Sequence, residues 1–138
     1  MKRNHIEELK SRQKALPDLS SLIGSVNPGM IKFKMIGGIA IGTPICSCIE
    51  CRSIRIFMPN GCVFPEHVHP DPIIEIVVVQ SGKFTFCVKV DETWIERPMS
   101  KGEVGYVYPG QLHKFVILED TTIRSISIPP DEGYCNGS

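Results

Sequence analysis

Apolar and polar residues alternate with a period of two along much of this chain, and Gly, Pro, Asn or Asp interrupts the alternation at short intervals. Ile54, Ile56 and Met58 interleave with Arg55 and Phe57, and Ile126 and Ile128 flank Ser127. Successive side chains of a strand point to opposite faces, so this pattern predicts strands with one buried face. Segments 30–36, 39–41, 45–58, 73–79, 83–90, 93–96, 104–108, 113–118 and 122–128, rich in Ile, Val, Phe and Thr, read as strands. Many short strands with no helix between them predict an all-β sandwich or barrel. The first residues differ. Ile6, Leu9 and Leu16 fall at helix-like spacing among Lys, Arg and Glu, which predicts a short helix ended by Pro17. Asn27-Pro28-Gly29 is turn chemistry. Residues 1–29 are therefore expected to form a helical arm and residues 30–138 one β-barrel domain.

Composition agrees with one domain: 138 residues with 42% hydrophobic content can bury a real core. Lys plus Arg and Asp plus Glu both total 15, for a formal charge of zero. No basic stripe or acidic tail is visible, which disfavours nucleic acid and anionic membranes as partners. Apolar runs fall far short of the ~20 residues that span a bilayer. No charged-then-apolar leader opens the chain, so the expected setting is a reducing cytoplasm. There the six cysteines would be free thiols. Cys46, Cys48 and Cys51 form C-x-C-x-x-C, but no second C-x-x-C supplies the fourth ligand of a usual zinc or iron–sulfur site. They read as structural thiols acting as small hydrophobes, with a redox-responsive thiol and a metal cluster as the alternatives.

The candidate chemistry gathers between Gly61 and Gly82, in G-C-V-F-P-E-H-V-H-P-D-P-I-I-E-I-V-V-V-Q-S-G. In an extended segment His67 and His69 point to the same face, where both can hold one metal ion. Glu75 opens the following apolar run, and His113 arrives later in Y-P-G-Q-L-H. Three imidazoles and a carboxylate form an N/N/O/N donor set suited to a first-row transition metal. Asp71 is a competing oxygen donor, although its position between two prolines favours solvent. Such a ligand set leaves a divalent ion with residual positive charge and open positions. The ion can then polarise a carbonyl, acidify water or bind dioxygen.

These stretches resemble the two motifs of the cupin superfamily. Gly61, His67, His69, Glu75 and Gly82 fill the first, with five residues between His69 and Glu75 where the family has three or four. The extra residue falls in the turn-prone P-D-P-I-I. Gly102, Gly110 and His113 fill the second, with Tyr108 in place of its first proline and Ile117 in place of its asparagine. The resemblance covers roughly residues 45 to 130. It implies a double-stranded β-helix, the cupin jelly-roll barrel. It also implies one divalent transition metal ion (Fe, Mn, Ni, Zn, Co or Cu) on His67, His69, Glu75 and His113. A homodimer is expected as well, with residues 30–41 assigned to the pairing; alternatively this segment completes its own barrel edge.

The function expected from the resemblance is a metal-dependent enzyme acting on a small organic molecule, either a dioxygenase or a lyase/isomerase. The alternative is a non-catalytic small-ligand binding or sensing module that retains the metal. Tyr106 and Tyr108 precede His113 on one strand face and are the candidate catalytic phenols, with simple packing as the alternative. Only Lys101 and Lys114 bring positive charge near the motifs, so phosphorylated substrates are disfavoured. A compact, partly apolar molecule with two chelating oxygens fits better.

Overall fold

The computed structural model describes residues 29–131, and the expected helical arm lies outside them. Ten strands follow one another: β1 (Ile31–Met35), β2 (Gly38–Ser47), β3 (Arg52–Met58), β4 (Val63–His67), β5 (Ile74–Ser81), β6 (Lys83–Val90), β7 (Thr93–Ser100), β8 (Val104–Val107), β9 (His113–Ile117) and β10 (Thr121–Ile128). They form a six-stranded sheet in the order β1-β2-β3-β10-β5-β8 and a four-stranded sheet in the order β4-β9-β6-β7. The chain repeatedly crosses from one sheet to the other, giving the expected double-stranded β-helix.

The core lies between the sheets because each inner strand buries alternate residues. Ile54, Ile56 and Met58 of β3 meet Val77 and Val79 of β5 and Ile123 of β10 there, opposite Phe84, Phe86, Phe115 and Ile117. Phe115 joins Phe84 at 5.2 Å and Phe64 at 5.7 Å between ring centroids, the offset spacing aromatic pairs prefer. The four motif glycines, Gly61, Gly82, Gly102 and Gly110, all have positive φ. They mark corners where side chains are disfavoured. At Gly82, between β5 and β6, a Cβ would also fall 2.3 Å from the carbonyl oxygen of Asp120.

Three segments differ from the sequence pattern. The apolar run 45–58 is cut by a turn, since Cys48 N–H donates to Cys51 O at 2.9 Å and separates β2 from β3. β4 went unpredicted because Pro65 and Glu66 break its pattern. It nonetheless pairs with β9, through Val63–Val116, Phe64–Phe115 and His67–His113, with an irregularity where Pro65 lacks an N–H. β7 runs past residue 96 to Ser100 because β6 pairs with it along its whole length, and its Pro98 is tolerated on an edge strand. Residues 31–35 and 38–42 form a hairpin on the chain's own sheet, and Ile36 bridges to Val63 of β4. No helix among the described residues is long and apolar enough to cross a membrane.

Candidate metal centre

The two sheets meet at one point with chemistry to offer. Glu75 lies near the start of β5, on the six-stranded side. His67 closes β4 and His113 opens β9, paired across the four-stranded side with ring centroids 4.0 Å apart. His69 lies two residues beyond the end of β4, so the two motif histidines do not share a strand as expected. Pro70 and Pro72 cannot continue a ladder, and the chain turns instead. That turn is anchored: Ile73 N–H donates to Pro70 O at 2.8 Å, and Gly110 N–H donates to His69 O at 2.8 Å. The turn also absorbs the extra residue before Glu75. As a result His67, His69, Glu75 and His113 each offer a ligand atom within 4.8 Å of the others.

Burial and orientation set these side chains apart from surface histidines. His113, Glu75 and His69 are 0%, 2% and 3% exposed, while His67 is partly exposed. Each imidazole donates its Nδ1 proton to a fixed acceptor. His67 uses Pro65 O at 2.8 Å, His113 uses Gln111 O at 2.9 Å, and His69 uses Asp131 Oδ2 at 2.6 Å. A carbonyl or carboxylate can only accept, so Nδ1 carries the proton and a neutral ring presents its Nε2 lone pair. Ser125 Oγ donates to Glu75 Oε2 at 2.6 Å, which leaves Oε1 toward the imidazoles. His69 Nε2 lies 3.4 Å and His113 Nε2 3.2 Å from that oxygen.

Acceptor facing acceptor at this separation is repulsive unless a positive charge is shared among them. Ligands about 2.0–2.2 Å from one ion stand roughly 3.0–3.4 Å apart at right to tetrahedral angles, so the donors present fit a divalent transition metal. Protonation can supply part of that charge. Burial opposes a proton on His69, but Glu75 and Asp131 outweigh it and hold the ring up at about 8. Burial and the neighbouring His113 push His67 down to about 4. Burial would raise Glu75, yet the facing His113 and His69 rings outweigh it and hold its carboxyl well below the usual range.

The other sequence candidates lie elsewhere. Asp71 is exposed and outside the group. Tyr106 and Tyr108 point to the outer face of the sheet, 45% and 61% exposed, with their rings 4.8 Å apart. The reason is register: Glu75 pairs with Val107, so Val107 shares the carboxylate's inward face and its two neighbours face out. Two residues at the site escaped the sequence reading. Ser125 had a signal, being a polar residue in phase with the inward Ile123 of β10. Asp131, in P-P-D after that strand, had none. It also accepts a bond from Arg52 Nη1 to its backbone carbonyl at 3.3 Å.

Comparison with known proteins agrees with this architecture. A stretch of 69 residues is 33% identical to acireductone dioxygenase of Puccinia graminis f. sp. tritici, taking in 50% of this chain but 38% of that protein. The chain thus spans well under half the length of this relative. An RmlC-like cupin from Shewanella frigidimarina superposes with a TM-score of 0.64 at 18% identity, over 80% of this chain and 93% of its own. Bacillus subtilis oxalate decarboxylase, a protein with Mn(II) centres, superposes with a TM-score of 0.59 at 14% identity, over 73% of this chain and 28% of its own. Structural likeness at such identities bears on the fold alone. Residues 53–129 match the Cupin domain family, a span that runs from β3 through β10 and takes in all four converging side chains. The chain belongs to the cupin domain family.

Proposed function

We propose that this chain is a metal-dependent enzyme of the dioxygenase type, with His67, His69, Glu75 and His113 holding one divalent transition metal ion. The observation that carries this reading is the convergence of two buried imidazole Nε2 atoms on one carboxylate oxygen, each ring locked through its Nδ1 proton. Imidazoles plus a carboxylate are the donor set of non-haem iron oxygenases. The stretch identical at 33% to a dioxygenase supports the same chemistry. When bound, the ion supplies a Lewis acid and, if redox-active, a site for dioxygen.

The protein's own contribution is positioning. Pro65 O, Gln111 O and Asp131 aim the three rings, and Ser125 aims Glu75, so little reorganisation is needed to receive an ion or a chelating substrate. Phe64 and Phe115 lie 5.2 and 5.9 Å from the rings of His67 and His113. These apolar neighbours limit water at the centre and favour a compact, partly apolar substrate with two chelating oxygens. Of the four ligands only His67 reaches solvent, which makes its side the entry path. A cytoplasmic setting, a homodimer and a barrel domain over residues 30–138 belong to the same proposal.

Fe(II)-loaded protein exposed to nitric oxide tests this reading. A high-spin iron–nitrosyl signal that changes when a bidentate enediol or hydroxy acid is added, with oxygen uptake on turnover, is expected. Turnover with Zn or Mn and no oxygen uptake would reassign the chain to a lyase or isomerase. Ligand binding without turnover under any metal would leave a binding module.

A further inference from the structure

The structure separates the described cysteines into two kinds. Cys62 and Cys87 are buried, as small hydrophobes should be. Cys46, Cys48 and Cys51 are only half-buried and lie together at the end of the β2–β3 hairpin. Cys46 and Cys48 are two residues apart where β2 ends, and the turn brings Cys51 back against them. Cys48 Sγ lies 3.9 Å from Cys51 Sγ and 3.5 Å from Cys51 O, inside a turn already closed by the Cys48 N–H to Cys51 O bond.

We propose that Cys48 and Cys51, joined by Cys46 when an ion binds, form a second, thiolate metal site for a soft d10 ion, Zn2+ or Cu+, separate from the histidine–glutamate centre. Thiolate ligands select these ions among the common metals. Two sulfurs each about 2.3 Å from one ion stand roughly 3.8–4.0 Å apart at tetrahedral to trigonal angles, and the 3.9 Å between Cys48 Sγ and Cys51 Sγ meets that without movement. A disulfide would need the sulfurs to close to about 2.05 Å. Three thiolates leave one position for water or an exogenous ligand, so the site can exchange its ion.

The test uses the reduced chain, titrated anaerobically with Co2+ as a spectroscopic stand-in. Thiolate coordination gives a near-ultraviolet charge-transfer band that imidazole and carboxylate ligands do not. The band should persist in His67→Ala, vanish in Cys48→Ser and Cys51→Ala, and be displaced by Zn2+ or Cu+, whichever acts at lower concentration being the preferred ion. In parallel, Zn2+ should slow alkylation of Cys46, Cys48 and Cys51 at least about tenfold, read by peptide mass spectrometry on the unmutated chain. Absence of the band, its survival in both cysteine variants, or alkylation indifferent to Zn2+ would overturn the proposal. So would a Cys48–Cys51 disulfide in anaerobically handled protein that binds no Co2+.

Discussion

The histidine–glutamate centre and the cysteine turn differ in what surrounds them more than in how close their donors come. At the first, three of four side chains are buried between the sheets, and every imidazole has its remote nitrogen tied to an acceptor. At the second, the donors sit half-buried on a single hairpin, and the hydrogen bonds that shape it come from the turn itself. The donors of the first come from three strands, β4, β5 and β9, and from the loop that carries His69. The second is assembled from six consecutive residues, Cys46 to Cys51. Long-range assembly yields a pre-aimed set of hard and borderline donors, whereas the hairpin end gathers soft donors within a single turn. The two sites are thereby expected to answer to different metals and to different mutations.

The largest effect should separate them outright. His113→Ala removes a fully buried imidazole, and affinity for Fe2+ or Mn2+ is expected to fall by more than about 100-fold, beyond the loss typical of a supporting residue. Cys48→Ser should leave that affinity unchanged. Isothermal titration on both variants checks this, and a comparable loss in each would merge the two sites into one linked system.

A smaller loss is expected from Asp131, which touches no ion but holds His69 at 2.6 Å. Asp131→Ala should weaken metal binding by about 10- to 100-fold. Asp131→Asn should recover part of it, because the amide oxygen can still accept the Nδ1 proton. Equal losses in both variants would indicate a charge effect rather than orientation.

The pH dependence follows from His69, whose pKa is raised from the ordinary 6.5 to about 8. Below that value an incoming ion must expel a proton, so affinity at the histidine centre should rise by about tenfold per pH unit between 6.5 and 8, then level. In the metal-free protein the sign is opposite. The raised pKa contributes stability that is fully present below about 6.5 and lost as pH rises through about 8. Proton release near one per ion, measured in weakly buffered solution at pH 7, checks the first statement. Thermal melts of the metal-free protein check the second.

Stability offers the finest contrast. Ser125→Ala strips Glu75 of a buried 2.6 Å hydrogen bond and should cost the metal-free protein about 1–3 kcal/mol. Cys48→Ser, on a half-buried turn, should stay within about 0.5 kcal/mol. Urea denaturation would show whether the gap between the two sites extends to the fold.

Much of the histidine centre was legible because its residues sit in two short motifs bounded by glycines. The physical content of those glycines emerged only in three dimensions: all four take positive φ. The all-β class was equally legible, since period-two alternation is a local property of the chain. Legibility failed where pairing overrode local pattern. β4 forms despite Pro65 because β9 lies beside it, and β7 extends past residue 96 because β6 does.

The sequence by itself determined which donors exist and that strands would alternate their faces around them, because ligand type and strand alternation are written residue by residue. Tertiary structure decided the rest. His69 reaches the centre from a loop rather than a shared strand, since Pro70 and Pro72 end the ladder and Gly110 clamps the turn. Tyr106 and Tyr108 face outward because Val107, not they, pairs in phase with Glu75. Asp131 and His69, 62 residues apart, share a proton only because β10 carries one to the other. Local periodicity says which face a residue occupies relative to its neighbours. Which face is the interior, and what waits there from the far end of the chain, depends on strand register, which is settled by cooperative pairing across the whole sheet.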